Sequence, residues 1–147
     1  MDRGISTLKV LKAKEEKKLT WIAIAEHVGA AEVWVTTALL GQATMTPEQA
    51  GKVGVLLELE PEVVASLSVP PNRGKGIQMP PTEPALYRLY EIIMVYGPAF
   101  KEILNEKFGD GIMSAIDYEM HIEKKEDPKG DRVLITLDGK FLPYRVF

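Results

Sequence analysis

The chain has 147 residues, a formal net charge of −3, 46% hydrophobic and 27% charged residues, and no cysteine. That length suits one ordinary domain or two small ones, and the hydrophobic share lies far from the disordered regime. The missing cysteine excludes disulfides, thiolate nucleophiles and thiolate metal sites, and the negative charge disfavours a general polyanion binder, which needs a cationic field.

The N-terminus carries Asp2, Arg3, Lys9, Lys12 and Lys14 and no apolar signal-peptide core. No apolar run reaches spanning length, so a cytoplasmic location with no membrane association is expected. From Leu8 to Leu67, apolar residues such as Leu8, Leu11, Leu19, Ile22 and Ala25 recur at spacings of three and four. This predicts several short helices. Thr20 opens one that Gly29 ends, and Ala31 to Leu40 forms the next before Gly41. Thr46, Pro47, Glu48 and Gln49 make a capping box with proline at the first helical position, and Pro61 opens a last short helix to Leu67.

The stretch Leu19 to Gly41 has the shape of a repressor-type helix-turn-helix. Its would-be recognition helix offers Glu32, Val33, Trp34, Thr36 and Thr37, with no arginine or lysine for guanine edges or phosphates. Residues 1–69 hold seven basic and nine acidic residues, so a structural use of the bundle is expected and nucleic acid is not. Lys9, Lys12, Lys14, Lys17 and Lys18, interrupted by Glu15 and Glu16, read as a solvated helix face. The competing reading is a small DNA-binding transcriptional regulator whose C-terminal part dimerises.

Residues 69–84 contain five prolines and two glycines, which predicts an extended linker. The expected domains are therefore 1–69, a linker 70–84, and 85–147. After the linker, a helix from Ala85 to Tyr96 is predicted to break at Gly97 and Pro98, with a second helix to about Phe108. Ile112, Ser114, Ile116, Tyr118, Met120 and Ile122 share one face by alternation while Asp117, Glu119, His121 and Glu123 occupy the other, predicting a one-sided strand. Asp127 to Asp131 reads as a hairpin turn, Arg132 to Leu137 as the return strand, and Asp138 with Gly139 as a second turn. The fold class is thus α+β: an all-helical bundle followed by a small α+β domain with antiparallel strands. Two or three strands make a thin core, so a second subunit is expected to complete it.

Arg88 and Glu91 lie three apart and share a helix face, as a surface ion pair or, if the neighbouring Tyr87 and Tyr90 bury it, as a site for planar anions. Ser114 follows a glycine turn on the apolar strand face, either as a small, locally bonded residue or as a donor to an anion. It lacks the surroundings of a hydrolase nucleophile: no G-x-S-x-G is present, His27 sits in the bundle, and His121 falls on the opposite strand face. The turn at Gly109 to Gly111 lacks the Lys-Ser or Lys-Thr of a phosphate loop. Asp117, Glu119 and Glu123 look solvated, and no metal is assigned.

Three segments, YRLYEIIMVYG (87–97), EKFGDGIMSAI (106–116) and ITLDGKFLP (135–143), together resemble the cyanase family, also called cyanate hydratase or cyanate lyase. The resemblance spans nearly the whole chain, strongest after Pro80 and looser before Leu19 and in Tyr144 to Phe147. It implies Arg88, Glu91 and Ser114 as the catalytic set. It further implies bicarbonate-dependent decomposition of cyanate through carbamate to ammonia and carbon dioxide, with no cofactor and no metal, bicarbonate being a co-substrate. The family's assembly, a homodecamer of five intertwined dimers with active sites at subunit interfaces, is likewise implied by the resemblance alone. A cyanase-fold protein that binds small anions without turnover is a third reading.

Overall fold

The structure, a computed structural model, describes residues 1–76 and 78–147; Ile77, inside the expected linker, lies outside the described residues. The chain forms two compact units, Met1–Gly74 with Met120–Thr136, and Lys75–Glu119 with Leu137–Phe147.

Five helices make up the N-terminal part: α1 (Arg3–Glu16), α2 (Trp21–Val28), α3 (Glu32–Leu39), α4 (Pro47–Leu57) and α5 (Pro61–Leu67). Their ends follow local chemistry. Thr20 Oγ1 accepts from the Ala23 amide at 3.2 Å, and Gly29 closes α2 with φ of 81°, a left-handed conformation that glycine adopts without steric cost. At α4 the predicted capping box is complete: Thr46 Oγ1 accepts from the Gln49 amide, and Gln49 Oε1 accepts from the Thr46 amide.

The apolar faces meet in one core that fully buries Val10, Ile24, Val35, Leu39, Val53 and Leu67. Each such aliphatic side chain contributes about 1.5–3 kcal/mol relative to exposure. Gly54 lets α4 approach α5 closely, since a Cβ there would stand 2.5 Å from Val64 Cγ2. Arg3 ties the bundle from the inside. Its guanidinium donates to the carbonyls of Ala38 (2.8 Å), Ala43 (3.0 Å) and Ser66 (3.2 Å).

Residues 70–76 and 78–83 form neither helix nor strand, and α6 runs from Pro84 to Phe108. The Glu83 carboxylate caps it, accepting from the Leu86 amide at 2.9 Å. The break expected at Gly97 and Pro98 is absent; α6 is a single helix with Pro98 inside it. Proline's φ is itself helical, and an interior proline costs about 3 kcal/mol. Twenty-three other residues, mostly good helix formers, continue through that local penalty. Its last turn is pinned by Phe108, stacked on Phe141 with ring centroids 5.2 Å apart.

The strands β1 (Gly111–Lys125) and β2 (Arg132–Pro143) form a two-stranded sheet. Asp127 makes the predicted turn, accepting from the Lys129 amide through its side chain and from the Gly130 amide through its carbonyl. Asp138 and Gly139, however, are not a turn; both lie within β2. Gly139 lacks a positive φ and is there for space, because a Cβ would stand 2.6 Å from the Ser114 carbonyl oxygen and 2.5 Å from Met113 Cγ.

The even alternation expected along β1 also fails. Ser114 is 5% exposed whereas Ile116, two residues on, is 97% exposed. The amides of Ile116 and Asp117 both donate to Ser114 Oγ, at 3.1 and 2.9 Å. Adjacent amides in a regular strand point to opposite edges, so two converging on one oxygen mark a bulge. The surplus of β1, 15 residues against 12 in β2, agrees.

Candidate active site

On α6, Arg88 Nη1 donates to Glu91 Oε2 at 3.1 Å. The three-residue spacing brings the two side chains onto one face, as helical geometry requires. The partial burial expected from Tyr87 and Tyr90 does not occur within the chain: the side chains are 68% and 47% exposed. The tyrosines pack on each other with centroids 6.2 Å apart, and the Arg88 guanidinium carbon lies 5.7 Å from the Tyr87 ring, a cation–π contact. The guanidinium therefore has one partner on the carboxylate, one aromatic flank, and several N–H groups turned to solvent.

Ser114 is built differently. It is buried, and a hydroxyl has two acceptor lone pairs and one donor hydrogen. The Ile116 and Asp117 amides occupy both acceptor positions. What remains is an O–H donor, which suits an anion and makes the oxygen a poor nucleophile. His121 lies seven residues further along β1.

The structure thus joins Arg88 to Glu91 and seats Ser114 on β1 against its own backbone. Sequence reasoning missed three participants in that seat: the Ile116 and Asp117 amides and Gly139. Asp138 with Gly139 has the composition of a turn, so nothing local marked Gly139 as a strand residue beside Ser114.

The helix-turn-helix shape is present in α2 and α3, but α3 is turned inward. It gives Val35, Ala38 and Leu39 to the core, and Trp34 packs against that core. Its outward-facing residues Glu32, Val33, Thr36 and Thr37 include no arginine or lysine for guanine edges or phosphates.

These features define an α+β protein in which a helical N-terminal part precedes a long helix and a two-stranded antiparallel sheet. Comparison with known proteins gives the family. Residues 3–71 match the family model for the cyanate hydratase N-terminal domain, and residues 78–146 match that for the cyanate lyase C-terminal domain. Cyanate hydratases of Dechloromonas aromatica and Thiobacillus denitrificans are each 50% identical to the chain over 147 residues, covering all of both chains. The crystal structure of cyanase from T. urticae superposes with a TM-score of 0.83 at 37% identity, covering 94% of this chain and 96% of that one. The chain belongs to the cyanate hydratase family, an enzyme family of carbon–nitrogen lyases.

Proposed function

We propose that the protein decomposes cyanate with bicarbonate, using Arg88, Glu91 and Ser114 as its catalytic set. Cyanate, bicarbonate and one proton give carbamate and carbon dioxide, and carbamate with a second proton gives ammonia and another carbon dioxide. A bicarbonate oxygen forms the new bond to the cyanate carbon. Collapse of the adduct breaks the bond from that oxygen to the former bicarbonate carbon, releasing carbon dioxide. Carbon stays at one oxidation state throughout, so the stoichiometry calls for no redox cofactor.

Two monoanions must meet, and their repulsion is the obstacle. Arg88 supplies positive charge with a planar fork matched to bicarbonate. Ser114 donates to the charge that develops on the adduct, in the manner of an oxyanion hole. Glu91 holds the guanidinium, and an ionised carboxylate in direct contact with either anion would repel it. The single observation that carries this reading is the donor-only hydroxyl of Ser114 in a chain of this family.

One arginine per chain is few for two anions, and a two-fold axis would supply a second Arg88. No residue of α6 is buried within the chain, and Leu89, Ile93, Val95 and Phe100 are each more than 40% exposed. So much uncovered apolar surface supports burial against further copies. The reading therefore includes sites between subunits of intertwined dimers, five of which make a homodecamer, in the cytoplasm. The domain roles follow: 1–69 structural, 70–84 linker, 85–147 catalysis and dimerisation.

The test is ammonia release from cyanate with and without bicarbonate in carbon-dioxide-depleted buffer. Release that depends on bicarbonate is expected, from a particle about ten times the 16.3 kDa chain mass by analytical ultracentrifugation. No release from folded, assembled protein would overturn the assignment.

A further inference from the structure

We infer that Gly139 is a positioning residue for the reaction: its missing side chain sets where the Ser114 hydroxyl stands. The inference rests on the role given to Ser114 above. Gly139 lies in the middle of β2, without the left-handed φ that would account for a glycine. A Cβ built there meets two obstacles of different kinds. One is the Met113 side chain, with Cγ at 2.5 Å and Sδ at 3.1 Å; the other is the backbone carbonyl oxygen of Ser114, at 2.6 Å.

The two obstacles respond differently. A methionine is unbranched and can turn aside. The Ser114 carbonyl cannot move without its residue, and an ordinary carbon-to-oxygen contact of about 3.3 Å would require it to retreat by about 0.7 Å. Ser114 is at the head of the β1 bulge, where its Oγ accepts two amides within 3.1 Å. Shifting its backbone by that distance pulls Oγ off both amides and re-aims the O–H. Displacements near 1 Å at a reacting group can cost about 10²-fold in rate. The close approach of β2 at Gly139 thus holds a donor whose direction is fixed by β1.

The experiment compares Gly139→Ala, Met113→Ala and the double variant Met113→Ala/Gly139→Ala in the full-length assembled protein. Size-exclusion checks assembly, steady-state ammonia release gives kcat and KM for cyanate, and hydrogen exchange follows the amides of residues 112–118. Gly139→Ala is expected to lose at least ~30-fold in kcat with KM changed less than ~3-fold, because the donor acts on developing charge. The Ile116 and Asp117 amides should exchange faster, and the double variant should show the same losses relative to Met113→Ala. Should Gly139→Ala alone fail to fold, the double variant, with the side-chain obstacle removed, carries the comparison. Recovery of kcat in the double variant to the Met113→Ala level would overturn the inference, making Gly139 a matter of methionine packing. So would a loss of kcat with unchanged amide exchange. The exchange result judges the positioning role even if the wild-type protein releases no ammonia, an outcome that would count against the proposed reaction alone.

Discussion

Arg88 and Glu91 are joined one turn apart on α6 by a 3.1 Å hydrogen bond, while most of the arginine side chain faces solvent. An exposed pair of this kind contributes roughly 0.2–1 kcal/mol to stability. Its residues can therefore be changed without unfolding the chain, and their effects on turnover are interpretable.

Arg88→Ala is expected to lower kcat/KM for cyanate by about 10³-fold, the scale of losing a principal charge-stabilising group. The melting temperature should move by less than ~4 °C and the oligomer should persist on size-exclusion. Arg88→Lys should recover little, since an ammonium lacks the planar fork. Dissociation of the oligomer in Arg88→Ala would instead make Arg88 an assembly residue.

Glu91→Gln separates orientation from proton transfer. A glutamine carbonyl still accepts from the Arg88 guanidinium, so activity within ~10-fold of wild type and an unchanged pH–rate profile are expected, with a larger loss in Glu91→Ala. A general base would lose about 10²–10⁴-fold in Glu91→Gln and take one limb of the pH profile with it.

Arg3 serves the bundle. Burial pulls its guanidinium below the ordinary arginine value, and three backbone carbonyls surround it. Arg3→Leu strands the carbonyls of Ala38, Ala43 and Ser66. Urea unfolding at fixed protein concentration should show a loss of about 2–4 kcal/mol, with kcat unchanged in protein that remains folded.

At Gly54 two effects oppose each other. Alanine in a helix interior is favoured over glycine by about 1 kcal/mol, whereas overpacking costs about 1–3 kcal/mol. The Cβ would stand 2.5 Å from Val64 Cγ2, so the clash should win and Gly54→Ala should destabilise. Adding Val64→Ala should make the Gly54→Ala change favourable or neutral in thermal melts, and a second clear loss there would show that another contact limits the site.

Much of the N-terminal part was legible from residues alone. Thr20, Gly29, Thr46 and Gln49 act within four positions of themselves, and each does what its type and spacing predicted. Where the prediction failed, the deciding partner was distant or the local rule was outweighed. Gly97 and Pro98 look like a helix end in any short window, yet α6 passes through them. Asp138 and Gly139 look like a turn until β1 is laid beside them. The evenly alternating β1 hid a bulge, because alternation counts side chains and a bulge is a rearrangement of amides.

The helical bundle, the hairpin, the lack of cysteine and, through three long segments, the family resemblance can all be read from residue order alone. These depend on residue type and short spacing, which a linear chain displays openly. Tertiary structure decided that Ser114 is a buried donor with both lone pairs taken, that Arg88 and Glu91 stand exposed within the chain, and that Gly139 is an absence of side chain rather than a turn. The reason is physical: hydrogen-bond saturation, burial and close backbone approach belong to pairs of groups brought together only when the strands lie side by side.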